Sequence, residues 1–147
     1  MKIQEIMTRN PSCVTADASV RDAAQIMRRE NVGIVPVVQG PGDRKLIGLV
    51  TDRDIAIRCI ADGKDGTCRV RDVMSADALA TCNAADEVDD VMDAMSNEQV
   101  RRIPIVDERG ALVGIVSQAD VVRKARDDSK AQQTVERISE PGGQHAQ

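Results

Sequence analysis

The 147 residues are 41% hydrophobic and 30% charged with a formal net charge of -4, the make-up of an ordinary globular chain, long enough for one compact domain or two small repeats sharing a core. The lack of Phe, Tyr and Trp removes the platforms on which single-stranded nucleic acids stack, and the acidic balance removes the phosphate neutralisation that drives non-specific binding. Nucleic acid is therefore excluded as the main partner, and apolar runs of about five residues exclude a membrane span, which needs roughly 20.

In chain order, MKIQEIMTRN has no apolar signal core, so a cytoplasmic protein is expected. Lys2–Thr8 returns as Arg69–Ser75, with Ile3, Ile6 and Met7 answering Val70, Val73 and Met74, which gives an internal repeat of about 66 to 68 residues. The repeat divides the chain into residues 1–63, a polar linker 64–69, residues 70–125, and a polar extension 126–147, helical as far as about Glu140 and frayed from Pro141.

Cys13, Val14 and Thr15 predict a short strand, echoed by Leu79, Ala80 and Thr81. Ser19 to Asp22 has the S-x-x-D form of a helix start, and Val20, Ala23, Ala24 and Met27 follow at i, i+3, i+4 and i+7. Val88, Val91, Met92 and Met95 repeat the stripe, and both segments read as amphipathic helices. Asp86, Asp89, Asp90 and Asp93 surround the second stripe, where the helix dipole explains them without a metal.

Each stripe is followed by hairpin grammar: Ile34–Val38 and Leu46–Val50 around Gly40, Pro41 and Gly42, then Ile103–Val106 and Leu112–Val116 around Asp107–Gly110. Pro36 and Pro104 are equivalent and, lacking a donor, belong at a sheet edge, a strand start or a bulge. Gly48 and Gly114 are also equivalent and would let a ligand approach closely. A further helix follows each hairpin, from about Asp52 to Ala61 with a stop at Gly63, and from near Gln118. A repeat of this size would be marginal alone, so two sheets facing one another around a pseudo-twofold axis are expected to complete one core.

Cys13, Cys59, Cys68 and Cys82 lie at irregular spacings without CxxC, reading as reduced thiols rather than a zinc site, and the one histidine, His145, sits in the polar tail. No P-loop, dinucleotide fingerprint or nucleophile with a neighbouring base appears, so no enzyme and no catalytic cofactor are expected. Chemistry is suggested by Thr51–Asp54 and Ser117–Asp120, a hydroxyl and a carboxylate three residues apart after each hairpin. That pattern caps a helix. The same carboxylate at a helix start beside a strand edge can accept two hydrogen bonds from vicinal ribose hydroxyls, while the helix dipole favours phosphate.

These motifs, with I-M-T and V-M-S at the repeat starts, V-G-I-V-P-V-V, V-R-R-I-P-I-V-D, G-L-V-T-D-R-D and G-I-V-S-Q-A-D, make residues 2–125 resemble a tandem pair of cystathionine-beta-synthase (CBS) domains, also called a Bateman module. The likeness is to small bacterial stand-alone proteins. It implies a mixed α/β (α+β) fold of two β-α-β-β-α repeats packed sheet to sheet, and up to two clefts for an adenosine-containing nucleotide such as AMP, ADP or ATP. It also implies that Asp54 and Asp120 bind ribose, that Thr51 and Ser117 meet ribose or phosphate, and that Ile34, Val35, Pro36, Ile103 and Pro104 line the base pocket. Thr15 and Thr81 would stand at the cleft by their strands. Arg101 and Arg102 occupy the place of Gly33 and Ile34, and Arg53 has no counterpart in the second repeat. Phosphate partners therefore come mainly from one side, which predicts one competent site. The resemblance further implies a homodimer, and an unidentified protein partner is an expected readout. The alternative is a dimerising interaction module with an empty or vestigial cleft.

Overall fold

The computed structural model describes residues 1–77 and 79–139, with side-chain surroundings given as far as Asp128. The tail expectations from Glu140 onward, His145 included, lie outside the described residues. Strand β1 is Thr8–Arg9, followed by β2 (Val14–Thr15), helix α1 (Val20–Glu30) and the hairpin β3 (Ile34–Gly40) and β4 (Asp43–Thr51). The second repeat runs β5 (Cys82–Asn83), α3 (Val88–Glu98), β6 (Arg102–Val106), β7 (Leu112–Ser117) and α4 (Gln118–Ser139). Between them, α2 starts as Asp52–Asp54 and continues as a π-helical stretch over Ile55–Ile60, with Ala61 N–H donating to Ala56 O (2.9 Å). It ends before Gly63, whose φ of 80° is one that glycine adopts without cost. Ser19 caps α1 as its pattern requires, Asp22 N–H donating to Ser19 Oγ at 3.1 Å.

The fold is mixed α/β with two sheets, of strand order β2-β3-β4 and β1-β7-β6-β5. The second repeat's first strand is displaced from the expected position. Cys82 and Asn83 pair with Ile105 and Val106 as Val14 and Thr15 pair with Val37 and Val38, so Cys82–Asn83 is the true echo, and Leu79, Ala80 and Thr81 lie outside the strands. A two-residue slip escapes sequence reading because it keeps the same faces.

The two repeats exchange their opening segments. Strand β1 pairs antiparallel with β7 of the second repeat, Thr8 opposite Ile115. In return Ser75 pairs with Leu49 on the outer edge of β4, with reciprocal N–H···O bonds of 2.8 and 2.9 Å. Side chains follow the backbone: Ile3 and Met7 are buried with Cys82, Val91, Met95, Ile103, Ile105, Val116 and Val121, whereas Val70 and Val73 are buried with Val14, Val20, Val35, Val37, Val50 and Cys59. Burial is therefore organised as two clusters rather than the single core expected. Each aliphatic sheet-and-helix unit is sealed by a segment from the other repeat, so neither cluster is completed by its own stretch of chain. The hairpins also meet directly, where Leu46 N–H donates to Gly110 O (3.0 Å) and Arg44 donates to Leu112 O (3.1 Å) and Pro11 O (3.3 Å).

The exchange explains both prolines and both glycines. Pro36 and Pro104 lie near the starts of inner strands, not on edge strands. Leu49, opposite Pro36, turns its N–H and C=O outward to Ser75, so Pro36 faces it in a non-hydrogen-bonded pair, and β2 begins its pairing only at Val37. The missing donor is thus aimed where no strand accepts it. A Cβ on Gly48 would stand 3.0 Å from both Met74 Sδ and Ser75 O, and one on Gly114 would stand 2.8 Å from Met7 Cγ and 3.0 Å from Thr8 O. The glycines expected to admit a ligand instead admit the crossing segment of the other repeat.

Candidate functional site

A cleft of about 1270 Å³ opens where the two helix starts, Thr51–Asp54 and Ser117–Ala119, approach one another. Small-molecule sites commonly occupy roughly 300–1,000 Å³, so this one has room for a nucleotide. Its walls bring together eight of the residues singled out from sequence: Ile34, Thr51, Arg53, Asp54, Arg101, Arg102, Pro104 and Ser117. Six others do not line it. Val35 and Ile103 are buried at 1% and 0% exposure in the two cores, and Pro36 is buried as well. Thr15 lies in β2, Thr81 is exposed outside the strands, and Asp120 is half-buried in the first turn of α4. For Val35 and Ile103 the reason is strand alternation: Ile34, Arg102 and Pro104 present to the cleft what their neighbours present to the core.

Both hydroxyl–carboxylate pairs are reciprocal capping boxes. Thr51 N–H donates to Asp54 Oδ2 and Asp54 N–H to Thr51 Oγ1, each at 3.0 Å, and the Ser117–Asp120 pair repeats the pattern at 3.1 Å. The boxes differ at the remaining carboxylate oxygen. Oδ1 of Asp120 is taken by the guanidinium of Arg123, one turn along α4. Oδ1 of Asp54 accepts no hydrogen bond from the described residues, and Asp54 lines the cleft.

The cleft is mixed in charge, with Asp52, Asp54, Asp77 and Glu98 against Arg53, Arg101 and Arg102. None of those three arginines is in an ion pair with another described residue. Backbone geometry places the asymmetry: Asp52 N–H donates to Gly33 O (3.0 Å) and Gln118 N–H to Arg101 O (2.8 Å), so Gly33 and Arg101 hold the same place in the two repeats. A Cβ on Gly33 would come within 3.1 Å of Asp52 Oδ2, so the first repeat spends that place on a close carboxylate. The second spends it on an exposed guanidinium.

The first-turn amides differ too. On α2, Asp52, Arg53 and Asp54 all donate within the protein, whereas on α4 the Ala119 N–H donates to none of the described residues. An anion would therefore meet donors at the α4 side, beside Arg101 and Arg102, and hydroxyl groups would meet a free acceptor at Asp54.

Sequence reasoning missed several of the walls. Ser75, Asp77, Leu79 and Ala80 line the cleft because the exchanged segment crosses from β4 back to β5, and Glu98, Gln99 and Val100 line it at the end of α3. The repeated V-M-S was the available signal for the first group, and nothing in local pattern marks the second. No described group of His, Cys, Asp and Glu is arranged to hold a metal ion, and no described helix is long and apolar enough to cross a membrane.

A family model, CBS domain, matches residues 3–59 and 70–127. The CBS domain-containing protein YhcV of Bacillus subtilis is 36% identical over 137 residues, covering 93% of this chain and 94% of that one. Hypoxic Response Protein I, whose crystal structure holds two coordinated zinc ions, superposes with a TM-score of 0.75 at 32% identity over 84% of this chain and 98% of that one. The CBS domain pair of MJ0100, solved with methylthioadenosine and S-adenosyl-L-methionine, gives a TM-score of 0.74 at 27% identity over 87% and 98%.

Proposed function

This chain belongs to the CBS-domain family, and from that premise we propose that it is a non-catalytic regulatory module that binds one adenosine-containing nucleotide in the cleft between its repeats. The observation that carries the reading is the Asp54 Oδ1 to which no described residue donates, in the same cleft as three guanidiniums with no described ion-pair partner. In this reading Asp54 accepts from the ribose hydroxyls. Ile34, Leu49, Leu79, Ala80 and Pro104 give the base aliphatic contact in the absence of any aromatic side chain. Arg101, Arg102 and the Ala119 amide hold phosphate, with Arg53 as a further cation. The MJ0100 pair takes adenosine compounds without phosphate, and the arginines here favour a phosphorylated one such as AMP, ADP or ATP. Bidentate guanidinium contacts reward phosphate specifically.

A thermal-shift screen with AMP, ADP, ATP and S-adenosylmethionine tests this. A ligand at 100 times its Kd adds about 2.7 kcal/mol to stability, a readily visible rise in melting temperature. No rise with any phosphorylated adenosine at millimolar concentration would leave the reading without support.

A second reading, a dimerising interaction module with an empty cleft, draws on the exposed apolar side chains Ile57 (47%), Ile60 (60%) and Val122 (46%) on α2 and α4. A homodimer through these faces fits either reading, and reporting to a protein partner would follow from a change in it. Sedimentation that shows a stable dimer, together with a silent nucleotide screen, would favour the second.

A further inference from the structure

The Cys59 thiol sits at the end of the π-helical stretch with no solvent exposure, in the core cluster of the first repeat. Cys68 packs against the same cluster from the linker, half-exposed. One carbonyl ties them together: Cys59 Sγ–H donates to Asp65 O at 3.2 Å and Cys68 N–H donates to that same oxygen at 3.1 Å. Burial first, and then the neighbouring Cys68, push the Cys59 thiol up from its ordinary value. Lys64 N–H donates to Cys59 O (2.9 Å) and Cys68 N–H to Asp65 O (3.1 Å), so two consecutive turns lead from one cysteine to the other. Cys13 and Cys82 have no comparable partner among the described residues.

What Cys68 anchors gives the pair its consequence. Its carbonyl accepts Val20 N–H at 2.7 Å, and the next residues, Val70 and Arg71, donate to Ala18 O and Ala16 O at 2.9 and 3.0 Å. This is the root of the exchanged segment that ends at Ser75 on the cleft wall.

We propose that Cys59 and Cys68 form a reversible redox clasp, closing as a disulfide that staples the end of α2 to the root of the exchanged segment. The oxidant is a low-molecular-weight disulfide of the glutathione class. The half-exposed Cys68 thiolate attacks one of its sulfurs, forming a mixed disulfide and releasing one thiolate. Cys59, deprotonated, then attacks Cys68 Sγ, forms the internal disulfide and expels the second thiolate. Two protein thiols are oxidised and one small disulfide is reduced to two thiols, so atoms and electrons balance. A closed loop this short removes chain entropy mainly from the unfolded state.

The test uses the full chain carrying Cys13→Ser and Cys82→Ser, incubated with oxidised glutathione and read by intact mass, thiol alkylation after unfolding, and melting temperature. The expected result is loss of both thiols, a mass lower by two hydrogens, a linked peptide spanning Cys59 and Cys68, and a melting temperature higher by about 5 °C or more, all reversed by dithiothreitol. Adding Cys59→Ala should leave a stable glutathione adduct on Cys68. The proposal is overturned if Cys59 stays alkylatable while Cys68 carries glutathione, or if neither thiol reacts under conditions that oxidise a peptide dithiol.

Discussion

Replacing Gly114 with alanine tests the exchanged arrangement through the sign of its effect. Neither Gly114 nor Gly48 has a positive φ, so alanine there carries no backbone penalty, and in a strand it should be better than glycine by roughly 0.5–1 kcal/mol. The structure predicts the opposite, because the new Cβ would stand 2.8 Å from Met7 Cγ and 3.0 Å from Thr8 O. Met7 is 9% exposed in the core of the second repeat and Thr8 is fixed to Ile115, so relief requires the buried Met7 side chain to repack and β1 to give way slightly against β7. Overpacking of this kind costs about 1–3 kcal/mol. For a chain of this size that is a fall of roughly 3–10 °C in melting temperature, measurable by calorimetry. Gly48→Ala, with both close contacts at 3.0 Å, should fall at the mild end. Met7→Ala loses a buried side chain and destabilises alone, yet combined with Gly114→Ala it should cost less than the sum, by about 1 kcal/mol. If Gly114→Ala melts at or above the parent temperature, or if the two losses simply add, the segment does not cross where described.

Ile3→Ala should cost about 2–5 kcal/mol despite its place near the chain start, and hydrogen exchange should quicken first in β6 and β7 rather than in β3 and β4. Val70→Ala should do the reverse. Glu87 is held below the ordinary carboxylate value by a hydrogen bond from the N-terminal ammonium and then by Lys2, while Glu87 raises that ammonium above its ordinary value. The carboxylate's contribution is present above its unfolded pKa and lost as pH falls through the lowered folded one. The ammonium's contribution is full below its unfolded pKa and lost as pH rises through the raised folded one. Glu87→Gln should therefore flatten the melting temperature on both the acid and the alkaline flank. A parent profile unchanged by the substitution would show that the pair contributes nothing.

The duplication was legible because hydrophobic periods, turn residues and capping hydroxyls are local signals, and they located α1, α3, both hairpins and both T/S-x-x-D boxes. Three features were not legible, two of them for one shared physical reason. The tasks of Gly48 and Gly114 and the cleft wall of Ser75, Asp77, Leu79 and Ala80 depend on which sheet the opening segment of each repeat joins, whereas the strand Cys82–Asn83 differs by a slip of two residues that keeps the same faces. Ile3 and Val70 have the same pattern whether they pack at home or across the molecule. Arg101 and Arg102 stood out in sequence because the equivalent place in the first repeat holds Gly33 and Ile34. The pairing of Asp120 with Arg123 was hidden, because an i, i+3 pair reads as an ordinary solvated one.

Calorimetric titration of AMP, ADP and ATP into the parent chain and into Asp54→Ala and Asp120→Ala bears most directly on the central claim. Losing a charged acceptor of ribose hydroxyls is worth about 1.5–3 kcal/mol, so Asp54→Ala should weaken binding roughly 10- to 150-fold while Asp120→Ala leaves it near the parent value, with one nucleotide per chain throughout. Binding that survives Asp54→Ala and disappears with Asp120→Ala would contradict the account, as would heat-silent titrations for all three nucleotides.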